Sequence, residues 1–292
     1  MGILIPCLGS NGGNDPMSTQ SAVSVRFWGV RGTICSPGID TVRYGGNTSC
    51  VEVRCGEHMI ILDAGTGIRS LGNKLMNTTA AIDVDIFFSH CHIDHIQGLP
   101  YFAPAFAHGN RLRLWAANLQ PMCRLEDVVR TLMSPPLFPA AVFKANMQYR
   151  DFKAGEVLRP RSDVSMHTAL LDHPDGAIGY RIEYGGRSVA YITDTEARHD
   201  GYIRNILSLA RNADLMIFDC TYSEGELSAR AGWGHSTWQQ GLRLADSAGA
   251  KLFCLFHHDP DRSDLTLDSY ANAVAAARAG TIVAREGLVI DL

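Results

Sequence analysis

The feature that most constrains this chain is a β-rich run, Val84–Ser89, passing directly into His90-Cys91-His92-Ile93-Asp94-His95. Three imidazoles and a carboxylate within six residues form a metal site if the backbone turns correctly. His90 and His92 stand two apart in extended chain, so they point the same way and can share one ion. Asp94 and His95, entering the next helical turn, can reach a second ion nearby. Imidazole and carboxylate are the donors that zinc, iron and manganese sites use. The alternative is a polar surface loop that merely gathers histidines.

The rest of the chain suits such a site. Further β-rich runs occur at Val23–Trp28, Ser49–Arg54, Met59–Asp63, Arg111–Ala116, Ile178–Tyr184, Ser188–Thr193, Leu215–Asp219 and Leu252–Phe256. Helical patterns lie between them, at about Leu125–Met133, Tyr202–Ala210, Thr237–Ala248 and Leu267–Ala279. Strands interleaved with helices, several ending in polar residues, indicate an α/β layered domain with its chemistry at strand C-terminal ends. At 292 residues and 46% hydrophobic, the chain can bury one substantial core. The expected organisation is a Gly/Ser/Asn-rich, disordered segment at 1–20 and a single domain over 21–292. A net charge of −4 without a basic tail disfavours a dedicated binder of long nucleic acid, which needs a basic face. No apolar run reaches the ~20 residues that span a bilayer. The eight cysteines are scattered with no C-x-x-C pair, which reads as reduced thiols of a cytoplasmic protein.

An H-x-H-x-D-H motif after a β-rich strand resembles the metallo-β-lactamase superfamily, and supporting motifs follow in that family's order. Ile60-Ile61-Leu62-Asp63-Ala64-Gly65 resembles its strand-end Asp element, where the Asp organises the metal loop without ligating. His173 in LDHPDG resembles the histidine that completes the first site, Asp194 in YITDTE the carboxylate bridging both ions, and His257 in LFCLFHH the histidine closing the second. The resemblance implies an αββα sandwich and two divalent transition-metal ions, zinc foremost, with manganese or iron as alternatives. Read alone, His173 is as well a turn residue before Pro174, and Asp194 a helix cap. His258 competes with His257, which follows the strand directly. His58, His108, His167 and His199 have no such partners and read as surface or packing residues.

Two motifs narrow the branch. Trp233-Gly234-His235-Ser236-Thr237 resembles the His-Ser-Thr element of tRNase Z-like phosphodiesterases, and Asp219-Cys220-Thr221 resembles their Glu-Ala-Thr element, with Asp in place of Glu. Cleaving a phosphodiester expels an alkoxide, so a positioned acid accelerates it by about 10²–10⁴-fold. His235 beside Asp219 would be that acid, since the carboxylate favours the charged imidazolium. The alternative is that Ser236 or Thr237 caps a helix and His235 is incidental. The Gly-rich segments at 29–33 and 44–49 resemble a stretch common in a bacterial group of uncharacterised or cyclic-nucleotide-cleaving members, and a tight hairpin explains their glycines equally well.

About twenty residues separate His173 from Asp194, too few for the arm with which tRNase Z enzymes grip tRNA. Phe102 and Phe106, with Phe138 and Phe143, either wall a small pocket and stack on a base, with Ser236 and Thr237 as further contacts, or form core or a dimer face. The expected function is therefore a dinuclear phosphodiesterase acting on a small, cyclic nucleotide through a metal-bridging hydroxide. Asp94 would orient that hydroxide, and His235, held by Asp219, would protonate the leaving oxygen. A tRNase Z-type ribonuclease, a thioester, lactone or β-lactam hydrolase, and a catalytically silent nucleotide sensor are the rivals. A homodimer is compatible with the sequence.

Overall fold

The computed structural model describes residues 23–117, 119, 122–139 and 142–292. The expectation for residues 1–20 lies outside them. Strands β1 (Val23–Gly29), β2 (Cys50–Cys55), β3 (His58–Leu62), β4 (Asp83–Phe87), β5 (Arg111–Ala117) and β6 (Asn146–Phe152) lie side by side in chain order. A second sheet runs through β7 (Val157–Arg161), β8 (Val164–Leu171), β9 (Ala177–Tyr184), β10 (Arg187–Ile192), β11 (Leu215–Asp219), β12 (Leu252–Phe256) and β13 (Thr281–Val283). The last strand, β14 (Val289–Asp291), returns to pair with β1. Each sheet begins with antiparallel neighbours and changes to parallel ones, at β3–β4 in the first and β10–β11 in the second.

Parallel neighbours need crossovers, and these helices cover the outer faces. The helices are α1 (Ile68–Leu75), α2 (Ile93–Ile96), α3 (Leu125–Leu132), α4 (Asp200–Ala210), α5 (Glu224–Leu227), α6 (Trp238–Ala248) and α7 (Asp264–Ala277). Between the sheets, Val25, Phe27, Val53, Leu62 and Phe87 meet Met166, Tyr180, Ile182, Tyr191 and Phe256. Outside the first sheet, Ile61, Ile86 and Leu114 pack against Ile68, Leu71, Leu125 and Val129 of α1 and α3. Outside the second, Ile192, Met216 and Phe218 pack against Ile206, Leu209, Leu242, Ala245 and Val274 of α4, α6 and α7. This is the expected αββα sandwich in one domain.

Burial explains which elements were readable. Strand β1 alternates buried and half-buried residues along VSVRFWG, because one face meets the core, whereas β11 is buried throughout beneath two layers. Helices α1 and α5, strands β6 to β8 and the three-residue β13 and β14 lie outside the runs expected from the sequence. The β6 sequence NMQYRDF has only one buried residue and is mostly polar, so its apolar signal is weak. Among the described residues no helix is long and apolar enough to cross a membrane.

Candidate metal centre

The strand ends of both sheets converge on one edge of the sandwich. Asp63 follows β3, the His90–His95 loop follows β4, Asp194 follows β10, Asp219 ends β11 and His257 follows β12. His173 sits in the β8–β9 turn, where its carbonyl accepts from the Gly176 N–H at 2.9 Å. Three of these positions turn through the left-handed region: Asp63 at φ 61°, Asp194 at 53° and His257 at 58°. Such backbone is costly for a residue with a side chain and collects at functional sites.

Two groups of donors result. His90, His92 and His173 gather in one; Asp94, His95 and His257 gather in the other. Asp194 stands between them, with Oδ1 3.3 Å from His257 Nε2 and 3.9 Å from the Nε2 of both His90 and His173. Its Oδ2 lies 3.3 Å from His95 Nε2. The seven residues expected to ligate are thus brought together, in the expected grouping. His258 is turned away: its Nε2 donates to the Ala284 carbonyl at 2.8 Å, and burial pushes its pKa down to about 3.

Outer partners set the imidazoles. His95 directs Nδ1 to Asp63 (2.9 Å), His173 to the Gly234 carbonyl (2.8 Å), His257 to Thr221 Oγ1 (3.1 Å) and His90 to Ser89 Oγ (3.1 Å). Each therefore presents Nε2 inward, the arrangement that orients metal-bound histidines. Asp63 also accepts from the Ser89 N–H, the Ser89 hydroxyl and the Tyr191 hydroxyl. It is fully spent on holding the loop.

The donor set fits divalent ions. The Nε2 atoms of His90, His95 and His257 are buried without any hydrogen-bond partner, which a folded protein rarely tolerates. Four carboxylates, Asp63, Asp94, Asp194 and Asp219, are no more than 6% exposed. Burial would raise Asp94 and Asp194, but His95 and His257 beside them hold both well below the usual carboxylate range. Burial, reinforced by the His95 charge, keeps His90 neutral, and burial likewise lowers His173. Burial also opposes charge on His95, yet Asp94, Asp194 and Asp63 carry it well above the usual imidazole range. A proton on His95 and a metal cation are competing answers to the same concentration of negative charge.

A residue range of 58–258 matches the Beta-lactamase superfamily domain. The chain belongs to that family. It is a metal-dependent hydrolase of the metallo-β-lactamase superfamily, in its tRNase Z-like branch. A Ribonuclease Z of Treponema pallidum is 24% identical over 290 residues, covering 84% of this chain and 91% of that protein. The metallo-β-lactamase fold protein YhfI of Bacillus subtilis superposes with a TM-score of 0.68 at 20% identity, covering 92% of this chain and 99% of YhfI. Zn(2+)-bound PqqB from Methylobacterium extorquens superposes at 0.67 and 20% identity, over 92% and 100%.

His235 is paired as this superfamily member's sequence implied. Its Nδ1 lies 2.8 Å from Asp219 Oδ2, and its ring stacks on His257 at 5.0 Å. Burial alone would lower its pKa; the Asp219 charge and hydrogen bond override that and bring it up to about 9. Asp219 is itself locked by the Thr195 N–H, the Thr221 N–H and the Thr221 hydroxyl.

The other substrate contacts expected from sequence are corrected. Ser236 is fully buried and donates to the Thr195 carbonyl, and the Thr237 hydroxyl caps α6 by accepting from the Gln240 N–H. Both hydroxyls are occupied inside the fold, the helix-cap alternative for Thr237, while His235 does pair with Asp219. Phe102 is fully buried in the outer core against Gly72, and Phe106 packs on Phe143 at 5.3 Å. The core alternative holds for Phe102, whereas Phe106 is half-buried at the edge of that cluster.

Two further elements position the cage without any signal of their targets in the local sequence. The Thr33 N–H donates to Asp94 Oδ2 at 2.8 Å, from a β-branched residue at φ 64°. Beneath it Arg31 is wholly buried, donating to the carbonyls of Gly45, Asp259 and Arg262. A Cβ on Gly32 would fall 2.2 Å from the His257 ring, so that position requires glycine. The 29–33 motif was visible in the sequence, but its target was not. The second element is Glu196, two residues after Asp194 and 2% exposed, which accepts from the N–H groups of Gly232 and Gly234.

Proposed function

We propose that this chain is a dinuclear phosphodiesterase that hydrolyses a small nucleotide diester, a cyclic one foremost. His90, His92 and His173 would hold one ion, Asp94, His95 and His257 the other, and Asp194 both. Zinc suits a set of five imidazoles and two carboxylates best, with manganese or iron as alternatives. When bound, the ions supply Lewis acidity toward the phosphoryl oxygens and lower the pKa of water.

The observation that carries the reading is the His235–Asp219 pair standing against the cage. Its ring stacks on His257, and it joins one cluster with His173 and Asp194 and another with Asp219 and His257. With Nδ1–H given to Asp219, Nε2 remains to hold the proton that a departing alkoxide needs. A thiolate leaves without a proton, so the pair favours phosphodiester over thioester chemistry. Asp94, fixed by the Thr33 N–H, would orient the attacking water.

The small substrate is supported by the β9–β10 connection. Tyr184 leads through Gly185 and Gly186 straight into Arg187, and the two strands pair in register from there. No arm for gripping a polynucleotide stands between His173 and Asp194.

A second reading, 3′-processing of tRNA precursors, is favoured by the relatives that carry the name Ribonuclease Z. Product analysis with a cyclic-nucleotide panel and a tRNA precursor, on protein of measured metal content, separates the two. The expected result is a larger kcat/KM for a cyclic mononucleotide with a shallow salt dependence. Efficient trimming with a steep fall in log K against log[salt] reverses the ranking.

A further inference from the structure

A row of touching side chains runs from the cage to the surface. The His235 ring meets Tyr222 edge-on at 5.9 Å, the Arg230 guanidinium lies 5.6 Å from the Tyr222 ring centre, and the same guanidinium lies 4.8 Å from that of Trp233. Trp233 ends the row and is 56% exposed. Trp is highly buried on average, and this one leaves more than half of its surface open to a ligand. With Arg230 against one face, the exposed area leaves the ring open on the other.

The loop that carries this indole is docked, not loose. Gly232 donates its N–H to both oxygens of buried Glu196 at 2.9 Å, and Gly234 donates to Oε2 at 3.4 Å. The Gly234 carbonyl accepts from His173 Nδ1, and a Cβ on Gly234 would fall 2.2 Å from that nitrogen. Both glycines have positive φ, 87° and 82°, as the tight path past His173 requires. The loop that carries the exposed ring is therefore held in place against His173 through Gly234. Arg230 fixes its face, and a cation against an indole is itself a favourable contact.

We propose that Trp233 is the nucleobase platform of this enzyme: the base stacks on the indole face opposite Arg230 while the phosphate reaches the cage past His235. Arg230 and Glu196 are positioning residues for that face. This rests on the nucleotide-diester reading above. Stacking tolerates every base, because each has a π-face, so the platform would select nucleotides over base-free esters without choosing strongly among bases.

The test compares a 3′,5′-cyclic nucleotide with a base-free cyclic ribose phosphate on wild type, Trp233→Ala and Trp233→Phe. The expected result is a KM for the nucleotide raised about tenfold or more in Trp233→Ala, with kcat little changed and the base-free ester unaffected. Trp233→Phe should recover most of the loss. Titrating the wild type with a nucleoside monophosphate should quench tryptophan emission, and Trp233→Phe should abolish that quench although three tryptophans remain. Equal losses on both esters, or an unchanged nucleotide KM, overturn the platform. If the wild type hydrolyses bis(p-nitrophenyl) phosphate but no nucleotide, the substrate reading fails. The platform then stands only if the monophosphate still quenches Trp233, and falls if it does not.

Discussion

Removing the His235 imidazole should separate substrates by their leaving groups. The ring donates to Asp219 over 2.8 Å and has a pKa brought up to about 9, so about 99% of it carries the proton at pH 7. Cations in the adjacent cage would draw that value back down, toward the range in which an acid gives up its proton readily. A positioned acid is worth about 10²–10⁴-fold, or about 3–5 kcal/mol, where the product alkoxide must be protonated. His235→Ala should therefore lose that much kcat/KM on a cyclic nucleotide. With bis(p-nitrophenyl) phosphate, whose phenolate departs unprotonated, the loss should stay within about tenfold. His235 is outside both principal donor groups, so elemental analysis should find the metal content of the variant unchanged. Asp219→Asn should reproduce the pattern more weakly, because it removes the charge that raises the imidazole and leaves the ring in place. Equal losses on the two substrates with full metal content would show His235 to be structural and refute the acid role.

Three further outcomes follow from the cage. Protein purified without chelator should hold close to two transition-metal ions per chain. Stripping them should lower Tm by about 10 °C, since ligand at about 1,000 times Kd adds about 4 kcal/mol; under half an ion per chain, with no activity restored by zinc or manganese, counts against the centre. His257→Ala should lose more metal than His258→Ala, as measured by elemental analysis, because only His257 faces Asp94 and Asp194, at 3.5 and 3.3 Å; the reverse order would exchange their roles. Gly32→Ala should drive a methyl into the His257 ring and weaken metal affinity by about 10–100-fold, at about 1–3 kcal/mol in stability. Titration of the apoprotein with zinc reads this, and unaltered affinity would show that the loop relaxes freely.

Much of this protein was legible in its letters because its chemistry lies in short segments at strand ends. The spacing His90-x-His92-x-Asp94-His95 alone divides donors between two ions, and alternation or continuous apolarity marks the strands that carry Asp63, Asp194, Asp219 and His257 to one edge. Those patterns are local, and burial in layers imposes them. Tertiary structure decided what depends on pairs far apart in the chain. His173 reaches His92 across 81 residues, and Thr33 reaches Asp94 across 61, through sheet pairings that no local period encodes. The same distance hid the meaning of the 29–33 motif, whose glycine answers to His257. Ser236, Thr237 and Phe102 are equally good as contacts or as filling when read alone. Only the packing of α6 under the second sheet and of Phe102 against α1 turned them inward. His257 and His258 differ by one position, and a residue at φ 58° after β12 is what aims the first at the cage and the second at Ala284. A sequence names the donors; which way each one points is set by the backbone that long-range contacts hold in place.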